Sequence, residues 1–261
     1  MNLGLDGARV LITAGANGIG LEIAKYFVKE GALVDVCDID GKAISNLPDG
    51  ISGSICDVSN PQSVDDYIDA AIRRLDGVDV LINNAGIAGP TQLLEDMDFL
   101  EWKKTLDVNL NGIFHVTRRC IPHLAKSANA SIILMSSLAG RAGFPNRSPY
   151  STSKWGVVGM TKTLAMELGS RGIRVNCIQP GAVSNPRFQA VMEARAKTTG
   201  RSVDTEIELA LSSQSLKKLV EMEEIAALAV FLSSRQAGSI SGQAIAIDCD
   251  AQFTTNPPNI G

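Results

Sequence analysis

The sequence predicts an α/β fold in which a parallel sheet is covered by helices on both faces. Three observations lead there. Apolar, β-rich runs alternate with stretches of helical period from one end of the chain to the other. Most of the strand-like runs are too apolar to alternate with polar residues, as expected of strands covered on both faces. A glycine-rich turn, Thr13-Ala14-Gly15-Ala16-Asn17-Gly18-Ile19-Gly20, follows the first such run and opens a helix. Strand–helix repetition of this kind implies right-handed crossovers and parallel neighbours.

The elements follow in order. Strand Arg9–Thr13, carried by Val10-Leu11-Ile12, leads into the glycine turn and helix Ile19–Glu30. Strand Leu33–Cys37 ends at Asp38, and strand Gly53–Cys56 ends at Asp57-Val58. Helix Pro61–Leu75 precedes strand Val78–Asn83, which runs into Asn84-Ala85-Gly86. One long helical period, Phe99–Lys126, comes before strand Ser131–Ser136, whose end delivers Ser137. Helix Tyr150–Gly169 is followed by strand Arg174–Ile178 and Pro180-Gly181. The stretch Ala182–Ser215 is the one long irregular segment. It is expected to be a substrate lid at about 182–215, or a pair of surface helices acting as that lid. Helix Glu223–Ser233 and strand Ala244–Ile247 complete the pattern. With no linker, low-complexity segment or short repeat, residues 1–261 are expected to form a single domain.

Composition narrows the class. Of 261 residues, 45% are hydrophobic and 20% charged, which fits an ordinary globular protein. The 24 basic and 28 acidic residues leave a net charge of −4, and nothing suggests a nucleic-acid or membrane surface. No apolar run reaches the length of a bilayer span, and the N-terminus lacks the features of a signal peptide. The cysteines (Cys37, Cys56, Cys120, Cys177, Cys249) are dispersed and odd in number, which reads as reduced thiols in the cytoplasm. His115 and His123, the only histidines, stand eight apart with no cysteine close by, so no metal site is expected.

Three constellations carry chemistry. The glycine turn follows a strand and opens a helix, where backbone N–H groups and the helix dipole suit a pyrophosphate. Asp38 ends the next strand, where its carboxylate accepts hydrogen bonds from both ribose hydroxyls of NAD and repels a 2′-phosphate. Asn17, before Gly18, is not a cation that would hold such a phosphate, so NAD(H) is the expected cofactor. Asp57-Val58 and Asn83-Asn84-Ala85-Gly86 fall at carboxyl ends of strands, where ligands bind in open α/β sheets. Taken singly, the asparagines read as turn residues satisfying backbone groups. The third constellation is Ser137, Tyr150 and Lys154. Tyr150 and Lys154 share a helix face at i and i+4. A free tyrosine has a pKa of about 10, and a nearby cation favours its phenolate, which makes the pair an acid/base catalyst for alcohol–carbonyl chemistry. Ser137 ends its strand with the hydroxyl able to face a substrate oxygen.

In this order, Thr13–Gly20, Asp57, Asn83–Gly86, Asn109, Ser137, Tyr150-x-x-x-Lys154 and Pro180-Gly181 resemble the short-chain dehydrogenase/reductase family over nearly the whole chain. The resemblance implies a doubly wound, seven-stranded parallel sheet (the Rossmann fold) and a homotetramer. It implies Tyr150 as acid/base, Lys154 on the nicotinamide ribose, Ser137 on the substrate oxygen, and Asn109 holding a water in a proton relay. It implies Gly15, Asn17, Gly18, Ile19, Gly20, Asp38, Asp57, Val58, Asn84, Ala85, Gly86, Pro180, Gly181 and Val183 along the cofactor. Three positions depart from the pattern: Ala14 where the family has glycine, Asn185-Pro186 where it often has threonine before proline, and Asp248-Cys249-Asp250 where relatives have Asp-Gly-Gly.

The expected activity is hydride transfer between NAD(H) and a secondary alcohol or ketone; a 3-oxoacyl thioester, sugar or polyol substrate fits the same pattern. Two other readings are a non-catalytic NAD-binding sensor, and an isomerase or dehydratase that recycles bound NAD. From Arg187 to Arg201 the chain carries Arg187, Arg195, Lys197 and Arg201 against Glu193 alone, and Arg147 stands three residues before Tyr150. That positive mouth suggests an anionic substrate; the plainer reading is a solvated helix whose arginines point to water or pair with Glu206 and Glu208.

Overall fold

In a computed structural model, residues 2–252 are described, apart from the side chains at positions 187, 194, 195 and 198. Strands β1 (Arg9–Thr13), β2 (Leu33–Asp38), β3 (Ile51–Ile55), β4 (Val80–Asn83), β5 (Ser131–Met135), β6 (Arg174–Pro180) and β7 (Ala244–Ile247) form one sheet in the order β3-β2-β1-β4-β5-β6-β7. Every pairing is parallel, with Leu11 opposite both Asp35 and Leu81, and Ile133 opposite both Ile82 and Asn176. The order reverses between β1 and β4, which opens a crevice at the carboxyl ends of those strands.

Helices cover both faces: α1 (Gly18–Lys29), α2 (Gly41–Ser45), α3 (Pro61–Leu75), α4 (Phe99–Leu106), α5 (Gly112–Leu124), α6 (Ser148–Gly169), α7 (Pro186–Thr199), α8 (Val203–Leu211) and α9 (Met222–Ser233). Alternate residues of each strand feed opposite cores. Leu11, Leu81, Ile132 and Leu134 pack with Tyr67, Ile68, Ile113, Val116, Leu124 and Val157 from α3, α5 and α6. Val10, Ile12, Val80, Ile82 and Ile133 pack with Ile23, Phe27, Ile225 and Ala229 from α1 and α9. Each fully buried side chain of this size contributes roughly 1.5–3 kcal/mol, so the apolar strand runs stabilise the sheet through both faces.

The seven strands, the parallel sheet and the doubly wound arrangement follow the sequence expectation, with ends shifted by one or two residues. Two element expectations need correction. The period Phe99–Lys126 is not one helix: a π-helical turn, Asp107–Asn111, separates α4 from α5. Its wide turn is held by the side chain of Asn109, which points inward onto the backbone of Ile87. The stretch 182–215 is not irregular but holds α7 and α8, the paired-helix alternative. Asn185 caps α7 by accepting the Phe188 N–H at 2.9 Å, Gly200 ends it at φ +72°, and Ser202 caps α8. The short helix α2 was not anticipated; Asp40 caps it by accepting the Lys42 and Ala43 N–H groups. Met1 and residues 253–261 of the expected domain lie outside the described residues.

Candidate active site

The cofactor side of the crevice is built at the ends of β1, β2 and β4. Thr13, the last residue of β1, accepts the N–H groups of Asn84 and Ala85 on Oγ1, each at 3.0 Å. Asn84 returns two bonds through Nδ2, to the carbonyls of Thr13 and Ala14 at 3.2 and 3.0 Å. The glycine turn is thereby stitched to the strand across the switch point. Gly15 donates its N–H to the Cys37 carbonyl at 3.0 Å. A side chain at Gly20 would strike the Ala14 carbonyl oxygen and the Asn84 amide, so helix and strand approach this closely only with glycine there.

Gly18 opens α1 in the left-handed region at φ +54°, and no atom lies within 4 Å of where its Cβ would stand. The preceding Asn17 makes no side-chain capping bond to α1, and the first turn carries no carboxylate. The helix N-terminus therefore offers backbone N–H groups and open space to an anion, which fits the pyrophosphate of a dinucleotide. Asp38 is 8% exposed. Its Oδ2 accepts the Ala16 N–H at 3.2 Å and its Oδ1 the Asp40 N–H at 3.1 Å, so the carboxylate is fixed beside the turn with lone pairs left for ribose hydroxyls. Just behind it, hydrogen bonding with Cys56 and burial push the Cys37 thiol well up, which keeps it protonated. Asp57 spends Oδ1 on the Ser59 N–H and hydroxyl at 2.9 and 2.7 Å, which turns the chain into α3. Val58 is buried against the start of α5, where a Cβ on Gly112 would come within 2.8 Å of Val58 Cγ2. Ile19 is half-buried on α1 beside the second core.

The reacting side lies at the ends of β4, β5 and β6. The Lys154 Nζ stands 5.7 Å from the centroid of the Tyr150 ring. Lys154 is 4% exposed and donates to the carbonyl of Met135, the last residue of β5, at 2.8 Å, while Ser136 Oγ donates to the Lys154 carbonyl at 2.9 Å. The end of β5 thus grips the lysine by head and backbone. Ser137 Oγ accepts the Ala139 N–H at 3.2 Å and opens a short 3₁₀ turn, Leu138–Gly140, and Ser151 of α6 donates to the Ala139 carbonyl at 3.0 Å. Serine, tyrosine and lysine therefore share one stitched loop–helix junction.

Asn109 is fully buried. Its Oδ1 accepts the Ile87 N–H at 2.7 Å, and its Nδ2 donates to the Ile87 carbonyl at 3.0 Å and to Ser153 Oγ at 3.2 Å. Ser153 Oγ in turn donates to the Tyr150 carbonyl at 2.7 Å. A Cβ on Gly86 would stand 3.3 Å from Asn109 Oδ1 and 3.4 Å from Lys154 Nζ, so this backbone runs directly past both groups. Beyond β6, the Gly181 N–H donates to the Ile247 carbonyl at 3.0 Å and buried Val183 bridges to Val220. Asn185, one of the departures, is used as the α7 cap. The Arg147 guanidinium lies 5.1 Å from the Tyr150 ring centroid.

The catalytic and cofactor-side candidates thus gather along the carboxyl ends of β1, β2, β4, β5 and β6, with Asp57-Val58 at the end of β3. Sequence reasoning gave no role to Thr13, Ser136, Ser153, Arg141 and Asp248, which hold the named residues in place. Ser153 lies within the Tyr-x-x-x-Lys spacing but has no chemical signature of its own; its role comes from contact with Asn109. Of the positive segment, Arg201 meets buried Glu206 at 3.4 Å and Lys197 is exposed, which favours the plainer reading for those two. The side chains of Arg187 and Arg195 lie outside the description. Among the described residues no group of three His, Cys, Asp or Glu side chains gathers to hold a metal ion, and no helix is long and apolar enough to cross a membrane.

A dinucleotide cradle at a topological switch point, facing a tyrosine–lysine pair, defines a nicotinamide-dependent oxidoreductase. Comparison with known proteins agrees. A family model described as enoyl-(acyl carrier protein) reductase matches residues 13–249. The 3-oxoacyl-[acyl-carrier-protein] reductase FabG of Thermotoga maritima is 35% identical over 251 residues, 94% of this chain and 97% of that protein. Actinorhodin polyketide ketoreductase, solved with NADPH, is 29% identical with a TM-score of 0.88, covering 94% of this chain and 97% of that one. NAD+-bound xylitol dehydrogenase is 25% identical with a TM-score of 0.88, covering 93% and 98%. The chain belongs to the short-chain dehydrogenase/reductase family and is an oxidoreductase acting on CH–OH groups.

Proposed function

We propose that this chain is an NAD(H)-dependent dehydrogenase or reductase of a secondary alcohol or ketone, with Tyr150 as its acid/base. The observation that carries the reading is the Lys154 ammonium 5.7 Å from the Tyr150 ring, beside a backbone that also touches Asn109. The Gly15–Gly20 turn, Asp38 and the Asn84–Gly86 and Pro180–Val183 segments would hold the dinucleotide, which when bound would supply or accept the hydride. Tyr150 takes the hydroxyl proton of an alcohol, or returns it to a carbonyl oxygen, and Lys154 favours the phenolate needed for the first direction. Ser137, whose Oγ already accepts the Ala139 N–H, donates its own proton in a hydrogen bond to the substrate oxygen. Asn109 and Ser153 hold the proton path open behind the tyrosine.

Asp38 supports NAD over NADP. A fixed carboxylate at the end of β2 repels a 2′-phosphate, and neither the glycine turn nor α1's first turn offers a cation to offset it. The dispersed free cysteines support a reducing, cytoplasmic setting. Exposed Phe114, Trp155 and Met166 on α5 and α6 support a homotetramer built through those helices. The test is a panel of hydroxy acids, sugars, polyols and 3-oxoacyl thioesters assayed with NAD(H) and NADP(H), with and without Asp38→Ser. A clear NAD(H) preference that narrows in the variant is expected; equal use of both cofactors by the unaltered protein would overturn the cofactor assignment.

A further inference from the structure

A second cation attends the proposed catalytic tyrosine. Arg147 stands one turn ahead of Tyr150 at the entry of α6, and its guanidinium carbon lies 5.1 Å from the Tyr150 ring centroid, closer than the Lys154 Nζ at 5.7 Å. Its backbone joins in: the Arg147 carbonyl accepts the Ser151 N–H at 2.8 Å, and its N–H donates to Phe144 at 3.2 Å. The guanidinium also packs 6.0 Å from the Phe144 ring and donates through Nη2 to the Ala88 carbonyl at 2.8 Å. Ala88 follows Ile87, whose backbone is clamped by Asn109. Gln92 N–H bonds the Asn146 carbonyl at 2.9 Å, so the two loops at the mouth are joined at a second point.

We propose that Arg147 is a positioning residue that acts through Tyr150, sharing with Lys154 the stabilisation of the phenolate. The inference rests on Tyr150 being the acid/base. A cation against an aromatic ring is attracted to its face, and the attraction grows when the ring carries negative charge. The guanidinium stays charged across the working pH range and, unlike an ammonium, spreads its donors in a plane, so it can hold Ala88 while lying over the ring. Among the described residues, the other charged groups on the neighbouring elements have partners of their own or are exposed. Arg141 pairs with Asp248, Asp107 with Lys103, Arg174 bonds the Leu232 and Ser234 carbonyls, and Glu101 and Lys104 on α4 are exposed. Cys177 on β6 is a buried thiol that burial pushes up, hence uncharged. Removing one unit charge about 5 Å away at a partly solvated site is worth about half to one pH unit on the phenol.

The experiment measures the Tyr150 titration directly. The chain has three tyrosines, Tyr26, Tyr67 and Tyr150, and burial pushes Tyr67 well above the ordinary range, so subtraction of a Tyr150→Phe background isolates the Tyr150 signal. Phenolate absorbance is followed against pH in the unaltered protein, Arg147→Gln and Arg147→Lys, each minus the matched Tyr150→Phe background. In parallel, kcat/KM for alcohol oxidation is recorded against pH. Arg147→Gln is expected to raise both midpoints by about half to one unit, to lose roughly three- to tenfold in rate at neutral pH, and to recover at high pH. Arg147→Lys is expected to keep midpoints near those of the unaltered protein. Unchanged midpoints in Arg147→Gln, or a rate loss that high pH does not recover, would overturn the assignment. Full turnover in Tyr150→Phe alone would instead remove the acid/base reading beneath it.

Discussion

Arg141 and Asp248 form a 2.5 Å ion pair that ties the loop after Ser137 to the residue following β7. Asp248 is buried, and a Cβ on Gly181 would come within 2.8 Å of its Cα, so the same residue also abuts the turn after β6. Arg141 further donates to the Ala251 carbonyl at 3.1 Å. One carboxylate thus holds two of the loops that frame the site. Arg141→Met leaves that carboxylate buried without its cation and is expected to destabilise the protein by about 2 kcal/mol, whereas Asp248→Asn, which keeps a hydrogen-bonding group, should cost less. Denaturant unfolding of the two variants checks the order; a smaller loss in Arg141→Met would contradict it.

Tyr150→Phe removes the phenolic proton and leaves the ring beside its two cations. Turnover is expected to fall at least ~10²-fold while dinucleotide affinity stays nearly unchanged. Lys154→Met should lose comparable activity and some stability as well, because it also breaks the bond to Met135 at the end of β5. Steady-state kinetics with cofactor titration by fluorescence separates the two effects.

Two of the departures from the family pattern hold non-glycine residues in the left-handed region. Ala14 sits at φ +49° and Cys249 and Asp250 at +58° and +54°. Left-handed backbone costs an L-residue roughly 1–2 kcal/mol, part of which glycine gives back through unfolded-chain entropy. Ala14→Gly is therefore expected to stabilise the protein by about 0.5 kcal/mol, read as a small rise in melting temperature. Asp250→Gly should bring no gain, because the aspartate accepts bonds from Ser215 at 2.5 Å and Gln252 at 2.6 Å that glycine cannot replace.

Asp79 should set part of the acid limit. Burial raises its carboxyl, but the Arg9 side chain, the Ser127 hydroxyl and the Arg9 N–H outweigh this and hold it at about 2, against an ordinary 3.8. A lowered folded-state value means stability present above about pH 4 and lost as pH falls from there through 2. Because Arg9 is partly solvated, the contribution is about 1 kcal/mol. Asp79→Asn is expected to lower stability by that amount at neutral pH and to flatten the pH dependence between about 4 and 2. A parallel loss at every pH would show that the pair titrates as it does when unfolded.

Much of the fold was legible because its signals are local. Val10-Leu11-Ile12 is too apolar to be anything but a covered strand, and the glycine turn marks its end. Asp38 and Tyr150-x-x-x-Lys154 could be placed from spacing alone, since strand ends and helix faces follow fixed periods. Asn109 was singled out by the family resemblance, but the π turn that aims it was not. Its sequence reads as continuous helix, and the interruption depends on Ile87, 22 residues away. The helices α7 and α8 were blurred for a related reason: their caps, Asn185 and Ser202, are local signals, but neither helix has a strong apolar stripe to announce it.

The sequence by itself determined the parallel sheet, the glycine turn, the acid at the end of β2 and the shared helix face of Tyr150 and Lys154, because each depends on residues a few positions apart. Only the tertiary structure decided that Thr13 stitches the turn to Asn84, that Met135 anchors the lysine, that Asn109 reaches Ile87 and Ser153, and that Arg147 lies over Tyr150 while holding Ala88. Apart from the approach of Arg147 to Tyr150, these are contacts between segments that the chain order separates. A hydrogen bond or ring contact acts over a few ångströms, and only the packing of strands and helices brings such partners within that range.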